Sequence, residues 1–336
     1  MKKQAWFYAA PVRRRTMTIP DHLVPTVERA LHAAFGTTTC DDVAVLGGVR
    51  AFICRVVVRG RPYVVRIGAA VHPDPEREIA ATRAAVDAGL APRVWHADVA
   101  DRVMVSDFVA PAPLPAGFGV QLAPVIARIH ALPLWPRKIH QLDMVDGFVA
   151  KLRAAGALAG DGDVFDAYAE VTAHYPRDAD LVACHNDLKA PNLLYDGART
   201  WVIDWEAAFV NDRYADLANA ACFFVEEDDR EEAAFLAAYF GAPATAHQRA
   251  RLVVARFVNH ASYVAFPSLA DARASVPAQP ALDYRAFHDG IIAGTVDLTD
   301  QATRARYAEV HLAAARRALG SPRITAAAAV LAERSR

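Results

Sequence analysis

The sequence predicts an α+β chain in two parts, a small sheet-rich N-terminal part and a larger helical C-terminal part. Three observations point there. Between Val43 and Phe108 the apolar residues recur with strand-like alternation around a single helical stretch. Pro111, Pro113 and Pro115 then punctuate the chain. Beyond them the apolar spacing is helical, broken by one compact island from Leu181 to Trp205. A length of 336 residues fits two domains or one large two-part domain. The expected boundaries are a flexible leader over 1–19, an N-terminal lobe over 20–109 and a helical C-terminal lobe over 110–336.

Each element has its own signal. Lys2 and Lys3 precede a short apolar patch, but Pro11 and Arg13 to Arg15 interrupt it, so it does not read as a signal peptide. Met17 is an alternative start. From Pro20 to Phe35, Leu23, Val27, Ala30 and Leu31 recur at helical spacing. Val43 to Leu46 runs into Gly47-Gly48. Ala51 to Val58 is rich in β-branched residues, Arg59 to Pro62 is a turn, and Tyr63 to Ile67 is a second strand of an antiparallel hairpin. Pro73 and Pro75 suit the start of a helix over Glu76 to Ala88, which Gly89 ends. Val94 to Ala97 and Arg102 to Phe108 complete the strands. Helices are expected over Val120 to Ala131, Val145 to Leu158 and Val164 to His174, and again from Tyr214 onward. Pro267 to Pro280 reads as a long loop.

Composition excludes several classes. The 37 basic and 38 acidic residues leave a net charge of −1, which gives no general grip on nucleic acid or an anionic membrane. No stretch approaches the roughly 20 apolar residues that span a bilayer, so no membrane insertion is expected. The four cysteines are widely spaced with no CxxC pair, which reads as reduced thiols in the cytoplasm. No GxSxG or HExxH appears. Gly117-Phe118-Gly119 follows a proline run rather than a strand, and is not a dinucleotide fingerprint.

The island carries the chemistry. Leu193-Leu194 and Trp201-Val202-Ile203 fit two short strands turned at Asp196-Gly197. Such a hairpin returns Asp204 beside Asn192 and gathers Asp187, Asn192 and Asp204 around one small volume. Those residue types suit phosphoryl transfer, which needs positioned Mg²⁺, charge neutralisation and a carboxylate for the hydroxyl proton. Magnesium favours carboxylate or amide oxygens together with substrate phosphates. Asn192 and Asp204 are the expected metal ligands and Asp187 the expected base.

His185-x-Asp187-x-x-x-x-Asn192, followed by Ile203-Asp204-Trp205-Glu206, resembles the catalytic loop and metal segment of the aminoglycoside phosphotransferase and choline kinase superfamily. The His-Asn-Asp order is similar to the bacterial choline/ethanolamine kinase branch, the LicA-like enzymes. Asp216-Leu217-Ala218 resembles the segment whose aspartate buttresses that loop. The resemblance runs from about Val43 to Tyr263. It implies a protein-kinase-like bilobal fold and an ATP- and Mg²⁺-dependent phosphotransferase acting on an alcohol group. It also implies that Glu206 helps place the metal or a substrate amine.

The N-terminal lobe follows from that hypothesis. A kinase strand carries a basic residue for the phosphates, held by a helix glutamate. Arg66 occupies that slot in Tyr63-Val64-Val65-Arg66-Ile67, and Glu78 is the expected partner, with Glu76 as runner-up. Gly47-Gly48 would lie over the phosphates. Asp107-Phe108-Val109 resembles the linker whose backbone holds adenine, which brings Asp107 and Val109 into the nucleotide site. The acceptor is a small hydroxyl compound, an amino alcohol such as choline or ethanolamine. The alternatives are an aminoglycoside or other sugar or alcohol kinase, and a catalytically silent nucleotide-binding module. Phe223, Phe224, Tyr239, Phe257, Tyr263 and Phe266 are expected mainly as core, Glu226 to Asp229 as a solvated helix start, and His260 as a core histidine. Oligomeric state is left open.

Overall fold

The structure is a computed structural model and describes residues 19–47, 51–69, 74–157, 162–274, 283–293, 295–298 and 300–333. The expected leader, apart from Ile19, lies outside the described residues, as do Gly48 and Pro73. The described residues form two compact units. One comprises those within Met1–Leu114 together with Pro191–Ala208, the other those within Pro115–Ala190 together with Phe209–Arg336.

The first unit begins with α1 (Val24–Phe35), which Gly36 ends in the left-handed region at φ 72°. β1 (Asp42–Gly47), β2 (Ala51–Val58) and β3 (Arg61–Gly68) follow, then α2 (Pro75–Asp87), β4 (Val94–Asp98) and β5 (Val103–Asp107). The strands form one antiparallel sheet in the order β1-β2-β3-β5-β4. Alternation decides its faces. Cys54, Val56, Tyr63, Val65, Val103 and Val105 are buried and pack with Val27 and Leu31 of α1. Arg66, between Val65 and Ile67, therefore belongs to the opposite face. α2 starts where Pro75 needs no N–H bond and the Asp74 side chain accepts from Arg77 N–H at 3.0 Å. It ends at Gly89, φ 66°.

The chain then builds α3 (Phe118–His130), α4 (Gln141–Ala154), α5 (Gly162–Thr172) and β6 (Leu181–Cys184) in the second unit. Gly119 on α3 marks a close approach to the helix that holds Phe224. A Cβ there would stand 2.5 Å from the Phe224 carbonyl oxygen. The glycines of Gly117-Phe118-Gly119 thus serve a helix start and a helix contact.

β7 (Leu193–Tyr195) and β8 (Thr200–Val202) belong to the first unit and form the expected hairpin, with Leu193 opposite Val202. Asp196 shapes its turn by accepting from Ala198 N–H at 2.8 Å, Arg199 N–H at 2.9 Å and Trp201 Nε1–H at 2.7 Å. Gly197 follows at φ 97°. Val202 N–H donates to the Leu90 carbonyl at 2.8 Å, which ties β8 to the end of α2.

β9 (Phe209–Asp212) returns to the second unit and pairs antiparallel with β6. After it come α6 (Arg213–Phe224), α7 (Asp229–Phe240), α8 (Ala246–Ala265), α9 (Pro267–Ala274), α10 (Tyr284–Ile292), α11 (Gln301–Leu319) and α12 (Pro322–Glu333). The core runs along α8, whose Val254, Phe257, Val258 and Ala261 pack with Val145, Phe165, Leu312 and Leu331. The loop expected over Pro267 to Pro280 is corrected in its first part. Residues Pro267–Ala274 are helical, because Leu269 is buried in a cluster with Tyr284, Phe287 and Tyr307. Residues 275–280 lie outside the described residues. Among the described residues, no helix is long and apolar enough to cross a membrane.

Candidate active site

In the first unit, Arg66 on β3 is the hub of a charged cluster. Its Nη1 lies 2.5 Å from Glu78 Oε1, and its Nη2 lies 3.1 Å from Asp204 Oδ1 and 3.3 Å from Glu206 Oε2. The strand register aims Arg66 at the face opposite α1. The phase of α2 turns Glu78, which is 4% exposed, into the same space. Burial works against the Arg66 charge, but Asp204, Glu78 and Glu206 outweigh it and hold the guanidinium above its ordinary pKa. Burial also pushes the Glu78 carboxyl up, against the pull of Arg66. The carboxylate that meets Arg66 is Glu78, so the choice between Glu76 and Glu78 is decided by packing.

Asp204 and Glu206 are delivered by the end of the hairpin. Ile203 N–H donates to the Asn192 carbonyl at 3.0 Å, which brings the residues flanking the two strands together. Asp204 is left-handed, at φ 66° and ψ 63°. The buried Trp205 then anchors a short 3₁₀ turn, with its indole N–H on the Val202 carbonyl at 3.1 Å. Arg77 holds the far side of that turn, donating to the carbonyls of Glu206, at 2.9 Å, and Ala208. Asn192 is itself buried.

The remaining first-unit candidates sit on the sheet or just after its last strand. Gly47 closes β1 at φ 103°, beside a register shift between Val45 and Gly47. At the end of β5, Asp107 N–H donates to the Arg93 carbonyl at 2.9 Å, and Asp107 Oδ1 accepts from Trp95 Nε1–H at 2.8 Å. Val109 follows β5 and is half-buried. Ala112 N–H reaches the Tyr195 carbonyl at 2.6 Å, which ties the proline segment to the hairpin.

In the second unit, Asp187 belongs to a loop held by backbone bonds. His185 N–H and Asn186 N–H donate to the two oxygens of Asp216 at 2.8 and 2.6 Å. Asn186 is left-handed at φ 64°. Its side chain donates to the Phe209 carbonyl at 3.2 Å and accepts from Asn211 Nδ2 at 2.7 Å. Asp187 follows, with its own N–H on His185 Nδ1 at 3.3 Å and its Oδ2 2.6 Å from Lys189 Nζ.

Sequence reasoning singled out Asp216 but not what supports it. His130 Nε2 lies 3.1 Å from Asp216 Oδ2, and His130 Nδ1 lies 2.6 Å from the Tyr239 hydroxyl. His130, Cys184 and Asp216 bring three potential ligand atoms within 4.8 Å of one another. Burial keeps the Cys184 thiol well above its ordinary pKa, and the other two are already hydrogen-bonded, so this is a structural network. Four residues before Asp216, Asp212 is held in turn: the buried Arg251 binds both of its oxygens at 2.8 Å, and Tyr175 O–H donates there at 2.7 Å. His130 and Arg251 carry no signal in the sequence, since nothing local marks their partners. Lys189 is legible in the sequence, since it stands inside the His185-to-Asn192 motif.

The substrate-side expectations are distributed as follows. Phe223, Phe257 and His260 are buried, and His260 Nδ1 lies 3.0 Å from His311 Nδ1. Asp228 caps α7, accepting from Arg230 N–H and Glu231 N–H, so the acidic run is a helix start.

Comparison with known proteins agrees with this architecture. Among solved structures, the chain is similar to a choline/ethanolamine kinase family protein from Mesorhizobium loti. The identity is 22%, the TM-score is 0.65, and the match covers 92% of this chain and 99% of that one. It is similar to the choline kinase LicA from Streptococcus pneumoniae at 16% identity and TM-score 0.60, covering 88% and 100%. It is also similar to the spectinomycin phosphotransferase APH(9)-Ia, solved with ADP and spectinomycin, at 14% identity and TM-score 0.52, covering 85% and 98%. At these identities the likeness establishes a kinase-like α+β fold. No curated protein matches the chain. The model of the phosphotransferase enzyme family matches residues 44–253, a span that holds Arg66, Glu78, the Asp187 loop and the Asp204 turn, and the chain belongs to that family.

Proposed function

We propose that the chain transfers the γ-phosphoryl group of ATP, with Mg²⁺, to a hydroxyl group of a small molecule. The observation that carries this is the Arg66 cluster, in which one guanidinium is held by Glu78 and by the two carboxylates of the Ile203-to-Glu206 segment. Arg66 neutralises phosphate charge and Glu78 orients it. Asp187 accepts or orients the hydroxyl proton. Gly47 covers the phosphates, and the backbone from Asp107 to Val109 receives adenine. The N-terminal lobe over 20–109 handles nucleotide, and the lobe over 110–336 handles the acceptor.

The residues fit the metal. An Asp204 carboxylate and an Asn192 amide oxygen are hard oxygen donors, the type magnesium takes. The Asp204 side chain is 28% exposed and open to a ligand. Glu206 is the further carboxylate that helps place the metal or a substrate amine. A bound Mg²⁺ would neutralise charge on the transferred phosphoryl group.

For the acceptor, the likeness to choline and ethanolamine kinases supports an amino alcohol. A sugar or aminoglycoside alcohol is the second reading. It is favoured because Glu226 is paired with Arg285 at 2.7 Å and no tryptophan follows Trp205 to face a quaternary ammonium. The four free cysteines agree with a cytoplasmic site of action.

The test is ADP release from Mg-ATP across choline, ethanolamine, sugars and aminoglycosides, with Asp187→Asn as blank. Turnover on one acceptor, absent in the blank, is the expected outcome. ATP binding with a flat panel would instead support a catalytically silent nucleotide-binding module.

A further inference from the structure

The two nitrogens at the tip of Arg66 have different partners. Nη1 meets Glu78, whose side chain is 5% exposed, while Nη2 is shared by Asp204 and Glu206, whose side chains are 28% and 20% exposed. One arm of the fork is therefore anchored in the interior. The other bridges two carboxylates that a ligand can reach, and these are the carboxylates assigned above to the metal.

We infer that Arg66 is an internal counter-cation that competes with the divalent metal for Asp204 and Glu206, and that phosphate relieves the competition by drawing Nη2 away while Nη1 stays on Glu78. The inference rests on the proposed metal role of Asp204. Its physical basis is charge. Three carboxylates surround one guanidinium, a group that stays protonated throughout the accessible pH range. A divalent ion accepted by Asp204 must share that carboxylate with a cation already bonded to it, and the two cations repel. Metal alone therefore binds weakly. A nucleotide gives the guanidinium another anion and frees both carboxylates. By linkage, metal must then strengthen nucleotide binding by the same factor as nucleotide strengthens metal binding. A fixed ion pair that only braced the fold would give neither effect.

The consequence runs against simple charge counting in catalysis. Weakening a phosphate-binding cation should tighten metal binding when no nucleotide is present. Arg66→Gln removes the charge. Arg66→Lys keeps a cation for the buried Glu78 but loses the fork that spans three carboxylates, so it tests the idea if the glutamine variant fails to fold.

The experiment is Mn²⁺ binding to the full chain, read from the loss of the free-ion electron paramagnetic resonance signal, with and without ADP. Wild type, Arg66→Gln, Arg66→Lys and Asp204→Asn are compared, each checked for native circular dichroism. Without ADP, Arg66→Gln should bind Mn²⁺ about tenfold more tightly than wild type, Arg66→Lys less so but in the same direction. In both, the gain produced by ADP should shrink. Asp204→Asn should lose the site. Tight binding lost in Asp204→Asn but unchanged in both Arg66 variants would overturn the competition alone. Binding unchanged in Asp204→Asn would overturn the metal assignment and, with it, the inference.

Discussion

The Arg66 cluster and the Asp187 loop hold their site residues by opposite means. Around Arg66, side chains hold side chains, with one guanidinium shared among the buried Glu78 and two carboxylates, Asp204 and Glu206, that are only partly covered. Around Asp187, a fully buried carboxylate, Asp216, holds two successive backbone N–H groups. The Nη2 arm of the first arrangement can be re-partnered by a ligand, because its two ion pairs have an alternative in a phosphate or a metal. The second has none, since an unsatisfied buried N–H costs the full desolvation penalty. In the proposed roles, the charge handler must yield to its substrate, and the aimed base must not.

The largest effect expected is at the aimed residue itself. Asp187→Asn should lower kcat by roughly 10²–10⁴ while ATP binding, measured by calorimetry, is retained. Near-normal turnover would remove Asp187 from its role.

Next comes the cradle. Asp216→Asn replaces a carboxylate that serves His185 N–H, Asn186 N–H and His130. An amide cannot accept on both sides, so a loss of about 2–4 kcal/mol in urea unfolding is expected, with kcat falling alongside it. If stability dropped while kcat held, the buried carboxylate would be bracing the fold without aiming Asp187.

A smaller effect separates backbone from side chain at Asn186, whose φ is 64°. Asn186→Ala should cost about 1–2 kcal/mol from left-handed strain, plus the lost bond to Asn211. Asn186→Gly should recover most of the strain and most of the activity. Equal losses in the two variants would shift the importance to the side-chain bonds.

The smallest effect per group is a pH dependence. His260, His288 and His311 are buried, and burial lowers all three pKa values, His288 to about 3. Arg256 and Arg317 press on His260, and Arg285 on His288, in the same direction. In the unfolded chain a histidine titrates near 6.5, so below that pH the unfolded state binds more protons. The stability is present above about pH 6.5 and lost as the pH falls. Between pH 7 and 5.5 each histidine should remove about 1 kcal/mol, read from urea midpoints. A flat profile would mean that these imidazoles are accessible to protons in the folded state.

Much of this architecture was legible locally. Ala51–Val58 emerged as a strand with its predicted ends, because β-branched residues and period-two burial coincide there. The hairpin after Asn192 followed from two apolar runs and Asp196-Gly197. The segment over Pro267–Ala274 is helical against its loop-like sequence because its helical pattern is weak by itself, and only packing of Leu269 against α10 and α11 residues orders it. His130 was invisible because its partner, Asp216, stands 86 residues away.

The sequence by itself determined the elements whose signal lies within a few residues: the strand alternation, the turn chemistry and the spacing from His185 to Asn192. Packing alone decided which charges meet. Glu76 and Glu78 lie two positions apart, roughly 200° around a helix, so only the seating of α2 on the sheet could select Glu78 for Arg66. The same holds for Asp216 under the Asp187 loop, for Arg251 on Asp212 and for the buried histidines. Local patterns arise from bonds a chain makes with its neighbours in sequence, whereas a charge is placed by the fold that removes it from water.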